Sequence, residues 1–442
     1  MRNKGVAVAK PGSKTSTSST VVPEPPRTQY SASFNAGISD IQRCRISDKR
    51  TKREKTQAIA YPAIPINGYS NSGVNKVLVL PVDFVDEPGI EKPEDRYRSD
   101  LETIREYFAR YSNGRARYEF LTYDKWIRAN NPIAQYEELH ESQDLNERSA
   151  RFAKHVQEYL DKLPKDMNLQ DVSAVLIYYP RNQKVLKNPI DQQGGPPLTS
   201  PTGERIYPGL YSTGASYSFT GNPAWAWLVH EILHAHGIAG HMPTYPRNIG
   251  IMTAGGQGIT YDLLTWYQLI LDWLPDEKIY CVDEASVEKS IVPINARGSS
   301  ESKIESIMYK VSDHEVLVIE YQKNSKWAPG FDDKFKGLMV YLVDTTVYQS
   351  RENYGQNELG TSLSPANYLL VRKGNFPPVI GLGKPTGFQA DTKLGDIGFE
   401  RGAEPWSSQL ILPEGNTFVF KSLRIKLLSA NEEALVEISK NE

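Results

Sequence analysis

The sequence is poor in cysteine and balanced in charge, and both features exclude classes of protein. Two cysteines in 442 residues are too few for a disulfide framework, and Cys44 and Cys281 lie too far apart in sequence for a metal knuckle. The 51 basic and 53 acidic residues leave no basic surplus for binding nucleic acid. No apolar run approaches the roughly 18 residues that a membrane span needs. We therefore expect no nucleic-acid partner and no membrane span.

The N-terminal part of the chain is short of apolar residues. Residues 1–10 carry charge but no apolar stretch, so we expect no secretory signal there. Residues 1–60 are rich in Ser, Thr, Pro and Lys, and such a composition buries too little apolar surface to offset the entropy lost on ordering. The sequence predicts a disordered leader over residues 1–60, which could be a propeptide.

Hydrophobic periodicity predicts two folded regions after this leader. Over residues 61–284, strand patterns alternate with amphipathic helices, which predicts a mixed sheet with helices on its face. Beyond Tyr280 the helical pattern ends, and short alternating segments predict a C-terminal β-sandwich over residues 285–442. The predicted strands of that region are 316–321, 338–343, 368–372, 417–420, 423–428 and 434–438. The predicted fold class is α+β.

Histidines cluster strongly: four of the seven lie between residues 230 and 241. His230 and His234 are four residues apart, so on a helix both rings lie on one face and can bind one metal ion. Glu231 completes the pattern His-Glu-x-x-His, in which the carboxylate acts as a general base beside the metal without binding it. His236 should face away from the metal. The pattern indicates a Zn²⁺ site that keeps positions for water and substrate.

The flanking sequence predicts a helix that begins and ends around this motif. Asn222 is a good N-cap, Pro223 suits the first helical position, and residues 224–235 contain no helix breaker. Gly237 can adopt the left-handed conformation that ends a helix. His241 follows this turn, from where a third ligand could reach the metal.

A glycine-rich turn with a methionine follows at residues 250–256. It contains Met252, and in the metzincin class of zinc peptidases such a turn lies beneath the metal site. We therefore predict a structural role for Met252 under the zinc, with a zincin-like, metzincin-like catalytic domain over residues 61–284.

The order of these motifs resembles that of the immune inhibitor A-like metallopeptidases. The matching segments are the strand Lys76–Phe84, the turn Tyr111–Gly114, the zinc helix, the methionine turn followed by Leu271–Leu274, and the strand Gly337–Asp344. The resemblance spans about residues 75 to 345. It implies a secreted zinc endopeptidase with a metzincin-like catalytic domain and appended β domains.

The third ligand departs from the usual spacing. In typical metzincins the third histidine lies six residues after the second, and Gly240 occupies that position here. His241 is one residue later, and Gly240 can absorb a one-residue insertion because its backbone tolerates positive φ. We predict His241 as the third ligand beside His230 and His234, with Asp262 as the alternative.

Three interpretations of Cys44 stay open. Its thiolate, favoured by the flanking Arg43 and Arg45, could occupy the open zinc position and keep a precursor latent. It could instead pair with Cys281 in an oxidising compartment. It could also be a free thiol.

These patterns predict a zinc-dependent endopeptidase. Glu231 would take a proton from the zinc-bound water and deliver it to the leaving amine. A protein or peptide substrate could add as a strand to residues 211–220, if these form the sheet edge, and Tyr245 or Tyr261 could stabilise the oxyanion. We expect a secreted monomer. The alternative is a catalytically inert zincin-like protein whose β-sandwich binds a glycan or a surface protein.

Overall fold

The structure, a computed structural model, has several sheets and few helices. It describes residues 40–49, 58, 60–66, 68–141, 145–186, 189–192, 197–206, 209–214, 218–219, 222–238, 250–252, 260–299, 303–329, 336–345 and 411–441. The predicted strand at 368–372 lies outside these residues. Within them, the α-helices are α1 (Pro93–Tyr111), α2 (Ala134–Glu141), α3 (Leu145–Leu160), α4 (Ala224–Ala235) and α5 (Thr265–Ile270).

The strands fall into two groups along the chain. The second group builds two further sheets. The first group is β1 (Gly73–Asp83), β2 (Ala116–Thr122), β3 (Ile127–Arg128), β4 (Val172–Tyr178), β5 (Ile190–Gln192), β6 (Leu198–Thr199), β7 (Arg205–Ile206), β8 (Gly209–Ser212), β9 (Ser218–Phe219) and β10 (Asn222–Pro223). The second group is β11 (Ile279–Asp283), β12 (Ser290–Asn295), β13 (Ser306–Lys310), β14 (Glu315–Gln322), β15 (Gly337–Asp344), β16 (Ile411–Leu412), β17 (Thr417–Phe420), β18 (Leu423–Ala430) and β19 (Glu433–Lys440). Mixed sheets with few helices agree with the predicted α+β class.

A six-stranded sheet organises the first part of the chain, with strand order β2-β1-β4-β8-β5 and β3 paired to β1. The neighbours β2, β1, β4 and β8 are parallel, and β5 is antiparallel at one edge. Alternate residues of β1 face opposite cores: Val77 and Val79 lie in the core with α1 and α4, whereas Leu78 and Leu80 lie in the core with α3. Both faces of this sheet are therefore covered, as in other largely parallel sheets.

The described part of residues 211–220 does not form the edge of this sheet. Tyr211 lies in β8, and β5 pairs outside β8, opposing Asp191 to Tyr211. Ser218 and Phe219 form β9, which pairs with β10 in a separate small sheet. The edge position is taken by a three-residue strand that follows β4 in sequence.

Two sheets enclose a common apolar core in the second part of the chain. The five-stranded sheet has the order β11-β13-β14-β15-β16, and the four-stranded sheet has the order β12-β19-β18-β17. One face of β14, with Leu317 and Ile319, packs into the core shared with the four-stranded sheet. Its other face, with Val316 and Val318, belongs to the core that contains α1 and α4. The apolar core is thus continuous across residue 284, and the division into domains there stays a prediction.

A buried polar network joins these two parts. Arg297 lies 3.4 Å from the Asp262 carboxylate and 3.3 Å from that of Glu320. Asp262 also accepts a hydrogen bond from the Tyr111 hydroxyl of α1, and Gln322 of β14 donates to Asp262 at 3.0 Å. Because the charges are buried, each depends on its partners for compensation. The network fixes α1 against the five-stranded sheet.

Helix α5 begins at a residue that a distant strand caps. The N–H of Thr265 donates to the Glu320 carboxylate at 2.7 Å. A buried acceptor from β14 therefore satisfies a donor at the helix start.

Part of the predicted leader is packed. Ile41, Cys44 and Ile46 are buried in the core that contains α4, because a disulfide joins Cys44 to Cys281 of β11 with their Cα atoms 6.1 Å apart. The prediction of disorder is therefore wrong for residues 40–49. Since its sulfur is in the disulfide, Cys44 is neither a zinc-binding latency thiolate nor a free thiol.

No described helix is long and apolar enough to cross a membrane.

A buried carboxylate on α1 belongs to the polar contacts that hold this helix at the sheet. Arg96 donates to the carbonyl oxygen of Tyr179 at 2.7 Å and to the Thr213 hydroxyl at 3.1 Å, at the ends of β4 and β8. Asp100 lies one turn later, and burial raises its pKa from 3.8 to about 6 against the opposing effect of Arg96. The ionised form of Asp100 therefore destabilises the fold.

Replacing Asp100 by Asn should stabilise the protein above pH 6. The pKa of Asp100 is raised from 3.8 to about 6, so the penalty is present above pH 6 and disappears as the pH falls towards 3.8. The shift corresponds to about 3 kcal/mol. Urea denaturation between about pH 4 and pH 8 measures the difference, with Glu102→Gln on the exposed face of α1 as the control. A stability difference that does not change with pH would contradict this assignment.

Candidate metal centre

Helix α4 carries the His-Glu-x-x-His motif, spans Ala224–Ala235 and ends just before the predicted turn at Gly237. Its start differs from prediction: Pro223 is the N-cap, because its pairing with Ser218 in the β9–β10 ladder keeps its backbone extended. Leu228, Val229, Ile232 and Leu233 are buried in the core beneath the six-stranded sheet. This packing leaves His230, Glu231 and His234 on the remaining face of the helix.

The two motif histidines are oriented by backbone carbonyls. His230 Nδ1 lies 2.9 Å from the carbonyl oxygen of Ile251, and His234 Nδ1 lies 3.1 Å from that of Ile238. A carbonyl oxygen only accepts, so both Nδ1 atoms carry the proton and both lone pairs lie on Nε2. The ring centroids are 4.9 Å apart. Two buried imidazoles with their Nε2 lone pairs on one helix face are a donor set that suits zinc.

The turn after α4 has the geometry expected of its glycine. Gly237 has φ of +100°, and a Cβ there would lie 2.3 Å from the carbonyl oxygen of Ile64. The Gly237 N–H donates back to the carbonyl of His234 at 2.9 Å. The chain then reaches Ile238, whose carbonyl holds His234. Glycine is thus required both for its conformation and for the close approach of residue 64.

His236 faces away from the motif histidines. Its Nδ1 donates to Asn71 Oδ1 at 2.8 Å, and its Nε2 accepts from the Tyr118 hydroxyl at 2.5 Å. Burial lowers its pKa to about 3, so the ring is neutral. It acts as a structural contact between the end of α4 and β2.

Of the other predicted site residues, the structure describes Met252, Tyr261 and Asp262. Met252 is fully buried in the core that contains α4 and follows Ile251, which accepts from His230. The Asp262 carboxylate is engaged by the buried network around Arg297, so it is unsuited as the alternative ligand. The Tyr261 ring packs edge-to-face on Trp225. His241 and Tyr245 lie outside the described residues.

Asp191 is a neighbour of the motif that sequence reasoning missed. It opposes Tyr211, so both side chains lie on the same face of the sheet, and Tyr211 packs in the core that contains α4. Burial, and then the charge of Asp191, raise the pKa of Glu231 well above its usual value. Burial lowers the pKa of His234, and Asp191 opposes that shift. Only the pairing of a three-residue strand brings this carboxylate to the site, and no sequence pattern marks it.

Among the described residues, no group of three or more His, Cys, Asp or Glu side chains is arranged to hold a metal ion. Of the three predicted ligands, His230 and His234 lie within the described residues. A third protein ligand would come from the undescribed part of the chain, where the sequence predicts His241.

Comparisons with known proteins place the chain in no family. No protein-family model matches it, and no curated protein matches its sequence. Among solved structures, it is similar to catalytically inactive OgpA from Akkermansia muciniphila in complex with an O-glycopeptide (glycodrosocin) substrate. That likeness covers 66% of this chain and 88% of the other, with 11% identity and a TM-score of 0.28. A likeness this low supports no conclusion about fold or function.

Replacing Gly237 by Ala should destabilise the protein more than the same change at Gly415. Both residues have positive φ, +100° and +82°, but only Gly237 would place its new Cβ against backbone. Conformational strain of about 1 kcal/mol applies to both, and overpacking adds roughly 1–3 kcal/mol at Gly237. Urea denaturation measures both variants. Equal losses of stability in the two variants would contradict the prediction that the Ile64 backbone leaves no room for a side chain at residue 237.

Proposed function

We propose that this protein is a zinc-dependent peptidase that hydrolyses internal peptide bonds of proteins. The observation that carries the proposal is the pair of Nδ1-to-carbonyl bonds, which puts the Nε2 lone pairs of His230 and His234 on the helix face that carries Glu231. Two purely structural histidines four residues apart would not both need a backbone carbonyl that holds the ring proton on Nδ1. His241 is the proposed third ligand.

Zinc at this centre would polarise the substrate carbonyl and make its bound water more acidic. The chain itself supplies the proton carrier. Glu231 is half-buried, and burial and Asp191 raise its pKa well above that of an exposed carboxylate. A raised pKa makes Glu231 a stronger base towards water and lets it hold the proton until the leaving amine takes it.

The sheet edge offers a place for the substrate. Among the described strands, β5 is the last of the six-stranded sheet on the side of β8, and its Asp191 faces the helix that carries the motif. A peptide that adds to a sheet edge is held by its main chain, independent of most side chains. An extended protein or peptide segment therefore fits the proposed reaction.

The disulfide supports a location outside the cytosol. Cys44 and Cys281 are bonded, and such bonds persist in oxidising compartments. We accordingly propose an extracellular protein; that it acts as a monomer stays a prediction.

Replacing Glu231 by Gln should abolish cleavage and leave the metal bound. We expect about one zinc per chain in both proteins, because the carboxylate is not a ligand. Cleavage of unfolded casein should fall by about 10²- to 10⁴-fold, the usual contribution of a general base. Zinc content is measured by elemental analysis, and wild-type cleavage should stop with a chelator and return with zinc.

The matched control is Glu284→Gln, which changes an exposed carboxylate. It should retain wild-type cleavage. Full activity of the Glu231→Gln variant would overturn the mechanism. Zinc binding without any cleavage by the wild-type protein would instead favour an inert binding protein.

A further inference from the structure

A segment before β1 packs on the end of the motif helix. We call residues 58 and 60–66 the N-terminal strap. Its Ala58 N–H donates to the carbonyl of Gly237 at 2.7 Å, and its Ile66 N–H donates to the carbonyl of Ala235 at 2.8 Å. These carbonyls stand at the C-terminal end of α4, where a helix has no internal donors left. The strap thus caps the helix that carries the metal ligands.

The strap is connected to His234, a proposed zinc ligand, through two successive contacts. Ala58 forms a parallel bridge with Ile238, and the carbonyl of Ile238 is the one that accepts from His234 Nδ1. The backbone of Ile64 packs against Gly237 and closes the turn from the other side. Displacing the strap would therefore move the carbonyl that sets the orientation and tautomer of His234.

Further contacts anchor the strap at a distance from the motif. The Arg45 guanidinium lies 4.7 Å from the centre of the Tyr61 ring in the strap and 2.6 Å from the Asp276 carboxylate. The preceding residue, Cys44, is bonded to Cys281. The Ala63 N–H donates to the carbonyl of Ile270 at 2.7 Å, at the end of α5.

We propose that the N-terminal strap is a positioning element of the metal centre, held in place through Arg45 by the Cys44–Cys281 disulfide. Zinc retention then depends on a disulfide whose cysteines are far in sequence from every ligand. This inference rests on the proposed zinc site. Residues that orient a metal ligand typically contribute about 10- to 100-fold to metal affinity, and the strap contributes in that range.

The direct test compares Ala58→Pro with Ala58→Gly. Proline removes the N–H that binds Gly237, whereas glycine keeps it. The dissociation constant for zinc is measured by competition with a chromophoric chelator. The Pro variant should bind zinc about 10- to 100-fold more weakly, and the Gly variant should stay close to wild type. The visible spectrum of the Co²⁺-substituted protein should change only in the Pro variant.

A second variant pair avoids the backbone change. Cys44→Ser/Cys281→Ser should weaken zinc binding in the same direction, whereas Ile90→Ser, at a side chain that is 81% exposed and outside the strap, should not. Near-ultraviolet circular dichroism shows which variants stay folded, and if Ala58→Pro does not fold, the double variant decides.

Unchanged zinc affinity in a folded Ala58→Pro or double Ser variant would overturn the inference and leave the zinc peptidase proposal standing. A wild-type protein that binds no zinc would defeat the proposed function instead.

Discussion

The candidate centre depends on two backbone carbonyls that hold two imidazole rings. Ile251 and Ile238 accept from His230 and His234, and each carbonyl lies in a turn outside α4. A helix alone puts the rings on one face, but it does not choose which nitrogen carries the proton. That choice comes from the turn at Gly237 and from the segment that contains Met252. The chemistry proposed for the helix is thus set by the chain that surrounds it.

Those turns are held by parts of the chain that are distant in sequence. Ile251 donates its N–H to the carbonyl of Asp262, whose carboxylate is paired with Arg297. The turn after α4 is held by the N-terminal strap. The two carbonyls are therefore held by two parts of the chain that are distant in sequence. One is the network that reaches β14, and the other is the segment that precedes β1. This arrangement gives the C-terminal sheets a structural part in the site, although they carry none of its proposed ligands.

Local patterns in the sequence predict the helix well, and long-range contacts explain what they miss. The bounds of α4 follow from an apolar stripe without breakers and from Gly237 just beyond it. By contrast, α5 begins where Glu320, 55 residues later, provides an acceptor. The strand β5 has three residues, too few for any periodicity, so neither the true sheet edge nor Asp191 could be predicted. The packing of residues 40–49 depends on a bond between cysteines 237 residues apart, and composition alone favoured disorder there.

The central claim is that His230 and His234 bind zinc through Nε2. The most direct measurement is a crystal structure of the zinc-loaded protein, with diffraction data collected on both sides of the zinc absorption edge. One anomalous peak is expected at about 2.0–2.1 Å from both Nε2 atoms, with both Nδ1 atoms still bonded to their carbonyls. A peak at any other place, or zinc bound through Nδ1, would contradict zinc binding by these two nitrogens.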